Sequence, residues 1–380
     1  MAGDDLWRAR ARGSRAIGRS SVLPAGAARG RGGDMRGLIA LLALLCCGAQ
    51  AGELTDLGGR KVTPPDKIAR VACLEVLCYP TLLMLGVEDR VAIMVQTAAP
   101  WLQATNARTA QIARVGTEAD VEDLAARKID IAFIAYNVAR IAPKLDKVGL
   151  PTLISQRVGQ SPQTEQAFVD NAQAMVRQFG RVFGGETERR AEDYCAWFDD
   201  KRAMVAARIA DIPPEQRRKL FYVRGPRSQN AQGRFGYVYW LGTLAGARMV
   251  GADAPLAGNG PANMEDLLQA DPDVVIVGRQ YPVALVLDDP RWRTVAAVRN
   301  GEVHASPAGV FYWDGGPESA LMMLFIAKTL YPDRFADLDM IAEIKGFYAR
   351  FYRFALTDDQ AGKILRGETP EGARFMKVNN

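Results

Sequence analysis

Ten arginine and aromatic side chains carry the chemistry this chain offers: Trp101, Tyr136, Arg227, Arg234, Tyr237, Arg279, Tyr281, Phe311, Tyr312 and Trp313. They fall in the segments that follow short apolar runs of the kind that form buried strands. A guanidinium pairs bidentately with carboxylate or catecholate oxygens, and an aromatic ring covers flat or apolar ligand surface. The combination suits a bulky anionic chelate that is bound rather than transformed.

The usual equipment for catalysis is missing. There is one histidine, His304, and no G-x-S-x-G serine, P-loop or dinucleotide fingerprint. No catalytic residue, resident metal or cofactor is therefore assigned. A secreted enzyme working through carboxylates or tyrosines would escape that search and is the reading from a different functional class.

The elements that must position these side chains announce themselves by repetition. Ala119-Asp120-Val121-Glu122-Asp123-Leu124, then Asp130 and the apolar run 131–134, returns 143 positions later as Ala262-Asn263-Met264-Glu265-Asp266-Leu267, then Asp273 and the run 274–277. In each copy a polar cap precedes acidic side chains in a first helical turn, where the helix dipole favours them. A buried strand follows, too short for a helix and apolar on both faces. Duplicated helix-strand units at this spacing predict two similar α/β lobes, each around a mainly parallel sheet.

Strand and helix signals alternate over residues 52–184, the first lobe, and again over 215–380, the second. Between them residues 187–211 contain neither Gly nor Pro, and Pro213-Pro214 stops the run. Such a helix spans ~37 Å, more than one lobe needs. Ala191, Tyr194, Cys195, Phe198, Val205 and Ile209 share one face, interrupted by Arg202, so the helix is expected to join the lobes with the ligand cleft between them. A helix over 318–330 and an amphipathic one over 341–354 close the chain, and residues 377–380 are expected to fray.

The formal charge of +5 is carried by residues 1–51, which hold eight Arg and three Asp. From Gly52 onward 40 basic residues meet 40 acidic ones, leaving no electrostatic footprint for nucleic acid. Residues 35–51 have the charged start, apolar core and Ala49-Gln50-Ala51 end of a cleavable signal peptide, and residues 1–34 ahead of it are expected to be an extension from a misplaced start codon. Export puts Cys73, Cys78 and Cys195 in an oxidising compartment. Cys73 and Cys78 close a disulfide if the chain between them bends; if they stay thiols beside the cleft, a soft-metal chelate becomes a candidate ligand. Cys195, among apolar neighbours, is expected to be a small buried hydrophobe.

Further motifs make a resemblance specific. Thr55-Asp56-Leu57-Gly58-Gly59-Arg60, Arg70-Val71 and Leu83-Met84-Leu85-Gly86-Val87 are similar to the opening of the periplasmic binding proteins for iron-siderophores, haem and cobalamin. Asp289-Pro290-Arg291-Trp292, Asn300-Gly301-Glu302-Val303, Pro317-Glu318-Ser319 and Tyr331-Pro332-Asp333 resemble that family's closing segments, in the expected order.

What the resemblance implies is import. A ligand, an iron-siderophore or similar metal chelate first and a corrinoid or haem second, is held between lobes joined by one long helix and passed to an ABC permease in the inner membrane. It also implies that one acidic residue on each lobe docks the permease, and by position these are Glu122 and Glu265. The expected protein is a periplasmic monomer.

Overall fold

The computed structural model describes residues 52–116, 120–157, 159, 161–251 and 259–373. The expected extension 1–34, the signal peptide 35–51, Ala119 of the first repeat and residues 377–380 lie outside the described residues.

A ribbon of β1 (Leu54–Thr55) and β2 (Lys61–Val62) opens the fold. Its turn is organised by buried Asp56, whose Oδ1 accepts the Gly58 and Arg60 N–H groups at 2.9 and 2.8 Å. Asp56 Oδ2 also accepts the Ile154 N–H, so the opening motif covers the edge of the first sheet.

That sheet contains β3 (Val71–Cys73), β4 (Val91–Val95), β5 (Ala113–Val115), β6 (Ile131–Ile134) and β7 (Thr152–Ile154), in the order β5-β4-β3-β6-β7. All its pairings are parallel. The second contains β8 (Lys219–Val223), β9 (Asn230–Gln232), β10 (Arg248–Met249), β11 (Asn259–Pro261), β12 (Val274–Val277) and β13 (Val303–Ala305). Here β10, β8, β12 and β13 run parallel, whereas β9 crosses the end of β8 antiparallel and β11 continues from it. The two sheets thus share a centre, with β3-β6-β7 matched by β8-β12-β13.

The repeat supplies the second strand of each triplet, and its aspartate has a structural task. Asp130 Oδ2 accepts the N–H groups of Ala69 and Arg70 at 2.7 and 2.8 Å, beside the start of β3. Asp273 Oδ2 accepts the N–H of Lys219 at 2.7 Å, at the start of β8. The helices ahead of them, Val121–Ala126 and Met264–Ala270, are capped by Asp120 and Asn263 as the sequence predicts. Lys128 and Asp271, equivalent in the repeat, both take left-handed φ values, 52° and 46°, so Ile129 in place of Pro272 leaves the exit turn unchanged.

The lobes are joined by a helical pair. The expected helix runs Gly185–Ile209 and buries all six residues of the anticipated face together with Thr187 and Trp197. Arg202 is turned to Gln166 and Asp199. Its antiparallel partner, Glu165–Phe183, capped by Thr164, is an addition to the elements expected from the sequence. The longer helix reaches both lobes: Arg190 donates to the carbonyl of Met84 and Tyr194 to that of Pro317. One buried apolar cluster runs from β3 through this pair to β8 and the C-terminal helices.

Those helices are Ser319–Leu330, almost wholly buried, Met340–Phe347, which widens into a π turn over Tyr348–Tyr352, and Asp358–Leu365. Cys195 is a buried free thiol, pushed up to about 12 by burial.

Candidate ligand cleft

In an open α/β sheet the ligand crevice lies beyond the carboxyl ends of the strands. In the first lobe three side chains sit two residues past a strand end: Glu75 after β3, Tyr136 after β6 and Gln156 after β7. Glu75 lies in a loop closed by a disulfide between Cys73 and Cys78, whose Cα atoms are 5.3 Å apart, so no thiol is left there for a soft metal. The Glu75 carboxyl is 1 % exposed. Its Oε2 accepts the Leu77 N–H at 2.7 Å and the Gln156 amide at 2.9 Å, whereas Oε1 has no partner among the described residues. Burial outweighs those bonds and pushes the carboxyl up to about 7.

Tyr136 is 45 % exposed, yet shielding of its phenol is the main cause of a raised pKa, with the Glu75 charge adding to it. A Gln156 hydrogen bond and the charges of Arg279 and Arg224 pull the other way. Tyr136 therefore lies within electrostatic reach of an acid on its own lobe and two bases on the other.

Those bases follow from register. β8 and β12 are parallel neighbours with Val223 opposite Val277, so Arg224 and Arg279 leave the sheet along one edge. Arg279 and Gln280 both have positive φ, 55° and 59°, a sparsely populated conformation for two consecutive non-glycine residues. Arg279 Nε donates to Asp314 Oδ2 at 2.7 Å, and Arg224 Nε stands 3.3 Å from the same oxygen. The Tyr222 hydroxyl donates to that oxygen at 3.3 Å, while Asp314 Oδ1 has no partner among the described residues. Two guanidinium groups against one carboxylate leave one formal positive charge in excess. The Arg279 guanidinium also lies 4.3 Å from the ring centre of Tyr312 and 5.4 Å from that of Phe311.

The loop carrying Phe311, Tyr312 and Asp314 is fixed from behind by Glu318, a member of the Pro317-Glu318-Ser319 motif. Glu318 Oε2 accepts the Phe311 N–H at 2.8 Å, and Oε1 accepts the Tyr348 hydroxyl at 2.6 Å and the Val310 N–H at 3.2 Å. Burial pushes this carboxyl too up to about 7. Gly309 is required there, because a Cβ would strike the Glu318 carboxyl and the Tyr348 hydroxyl.

The ten expected ligand residues separate into groups. Tyr136, Arg279, Phe311 and Tyr312 come together at the centre. Trp101 and Trp313 are wholly buried, and Trp101 Nε1 donates to the carbonyl of Glu368 at 2.8 Å. Tyr237 meets Phe168 edge to face at 4.8 Å and, with Leu77, Gln156 and Met175, lines a cavity of about 130 Å³. Tyr281 is half-buried against Gly225. Arg227 and Arg234 are exposed, the latter over the ring of Phe235. Arg224, Glu75, Gln156 and Asp314 stand beside Arg279 and Tyr136 and are additions the sequence reading lacks. Arg224 directly follows β8, and Glu75 stands between two cysteines; those were the available signals.

At the opposite ends of the strands, Asp120 and Asn263 accept the N–H groups of Glu122 and Glu265, each at 2.9 Å. Both glutamates are exposed. Asp123 is instead engaged by Arg127 at 2.8 Å.

Two parallel-sheet bodies about a long helical pair are the architecture of a two-lobed periplasmic binding protein, and the comparisons agree. Residues 71–308 match the periplasmic binding protein family, and the chain belongs to it. It is 25 % identical over 332 residues to the molybdate-binding protein MolA of Haemophilus influenzae, covering 82 % of this chain and 93 % of that protein. The structure of the Haemophilus influenzae protein with molybdate bound superposes with a TM-score of 0.68 at 23 % identity, over 80 % of this chain and 99 % of the other. A periplasmic solute-binding protein from Veillonella parvula gives a TM-score of 0.71 at 21 % identity, over 83 % and 97 %. These are class III binding proteins of ABC transporters, which work with a membrane permease, and this chain is likewise a solute-binding protein and not an enzyme.

Proposed function

We propose that this binding protein captures a compact oxyanion of the molybdate type between its lobes and delivers it to an ABC permease. The observation that carries the reading is the pair Arg224 and Arg279, projecting from adjacent parallel strand ends toward Tyr136, with one carboxylate between them. A guanidinium fork matches tetrahedral oxyanion oxygens as well as it matches carboxylate, and the similarity to a molybdate-binding protein favours the smaller ligand over a bulky one. An iron-siderophore is the second reading, favoured by the apolar cavity beside the cleft, where Leu77, Phe168, Met175 and Tyr237 could take a chelate's carbon skeleton. A corrinoid or haem has no such specific support.

Delivery on this reading uses Glu122 and Glu265 as one docking point per lobe. The mature periplasmic chain starts at Gly52, after removal of a signal peptide over 35–51, and its lobes occupy 52–184 and 215–380. Titration calorimetry with molybdate, tungstate and a panel of ferric siderophores tests the ligand. Saturable one-to-one binding of the oxyanions is expected, and binding of a ferric siderophore alone would overturn the reading.

A further inference from the structure

The oxyanion reading leaves unexplained why an acidic side chain stands at the carboxyl edge of the first sheet, where an anion is to be received. Glu75 is placed there by covalent means. Its loop is pinned at both ends by the Cys73–Cys78 disulfide, and Leu77 of that loop packs against Gly316 of the opposite lobe. Its two oxygens are unequal: Oε2 is satisfied by the Leu77 N–H and the Gln156 amide, while Oε1 is buried with no partner among the described residues.

We propose that Glu75 serves the cleft as a neutral carboxylic acid whose Oε1–H donates a hydrogen bond to an oxygen of the bound anion, so that ligand capture takes up a proton. The inference rests on the oxyanion reading and deepens it.

Burial favours the neutral form and outweighs the Leu77 N–H, Gln156 and Ser155, each of which favours the carboxylate. Facing Glu75 are the Leu77 N–H of its own loop, Gln156 and Ser155 beyond β7, and Tyr136 beyond β6. Gln156 and Ser155 do not titrate, and the Ser155 hydroxyl donates to the carbonyl of Ile134. Tyr136 is the one titratable group among them, and its own pKa is raised, so it stays a phenol. The charges of Arg224 and Arg279 lower the Tyr136 pKa, against the effect of its burial. The buried carboxylate is penalised by desolvation, and its pKa of about 7 puts the free protein near half-protonation at neutral pH. A bound anion raises that value further, because like charges in one site cannot both ionise cheaply. Linkage then fixes the sign: affinity is full below about 7 and falls above it, by up to tenfold per pH unit until the pKa of the complex is reached.

The test is calorimetry of molybdate and tungstate from about pH 5.5 to about pH 8.5, in buffers of different ionisation enthalpy. Kept dilute enough to stay monomeric dianions, both ligands carry no proton of their own, so a proton taken up goes to the protein. Wild type should take up close to one proton above neutrality. Glu75→Gln replaces Oε1–H by an amide donor and keeps an acceptor for Leu77 and Gln156. It should hold the acid-limit affinity within about threefold and lose the pH slope. Glu75→Asp, which keeps the acid but withdraws it, should bind more weakly at every pH with the slope retained. Binding by wild type without proton uptake, or a slope that persists in Glu75→Gln, overturns the inference alone. No oxyanion binding by wild type at any pH overturns the oxyanion reading and the inference together.

Discussion

The two lobes are alike where their strands begin and unlike where they end. At the beginnings an exposed glutamate follows a side-chain cap, and an aspartate fastens the start of the neighbouring strand, in both copies. At the ends the first lobe offers an acid, a phenol and an amide, and the second offers two guanidinium groups around Asp314. A duplicated edge suits a partner that meets both lobes in the same way. An unmatched edge suits a ligand that needs donors of different strength on its two sides.

Charge reversal at the duplicated edge should have the largest effect. Like-charge juxtaposition at an interface costs several kcal/mol, so Glu122→Lys and Glu265→Lys should each abolish uptake by cells while leaving ligand affinity and melting temperature unchanged. The double variant should be no more active than either single one. Normal transport by one of the two would break the symmetry inferred for the docking edge, and loss of ligand binding by either would move the glutamates from the partner surface to the pocket or the fold.

The unmatched edge is tested next. Hydrogen bonds to charged groups contribute about 1.5–3 kcal/mol, so Arg224→Ala and Arg279→Ala should each weaken anion binding roughly tenfold to a hundredfold, measured by calorimetry. Tyr136→Phe removes a neutral donor to the same anion, worth about 1.5 kcal/mol at the low end of that range, a loss of roughly tenfold. Arg227→Ala and Arg234→Ala, the variants the sequence alone would select, should stay within about threefold by the same scale. A larger loss in either than in Arg224→Ala would relocate the site along the loop after β8.

What is legible in the sequence follows the same division. Features of the strand beginnings are local: cap, glutamate, aspartate and apolar run lie within residues 120–134 and again within 263–277, so the repeat stands out in the residue order itself. The Gly185–Ile209 helix is equally plain, because nothing within 187–211 breaks it. Its partner Glu165–Phe183 escapes the sequence reading, although Thr164 caps it and Phe168, Val169, Met175, Val176, Phe179 and Val182 form its buried stripe. Strand ends are different, because their chemistry depends on partners far along the chain. Arg224 and Arg279 meet only through the parallel register of β8 and β12. Trp101, placed correctly beyond a strand, is closed off by the carbonyl of Glu368, 267 positions away. Tyr312 is found from its sequence neighbourhood, but its role beneath Arg279 is set by a loop that Glu318 holds.

The smallest effect sharpens the comparison at the beginnings, where the copies are similar but not identical. Asp130 Oδ2 takes two backbone N–H groups and Asp273 Oδ2 takes one. Each is a hydrogen bond to a charged acceptor, but the Asp130 pair is open to solvent, which reduces what each bond adds. Asp130→Ala should therefore destabilise the protein by about 1–2 kcal/mol and Asp273→Ala by about 1 kcal/mol. Because one apolar cluster runs through both lobes and the helical pair, both losses should shift a single denaturant transition without splitting it. Two separated transitions in Asp130→Ala, seen by circular dichroism and tryptophan fluorescence, would mean that the lobes unfold independently and that the shared core does not couple them.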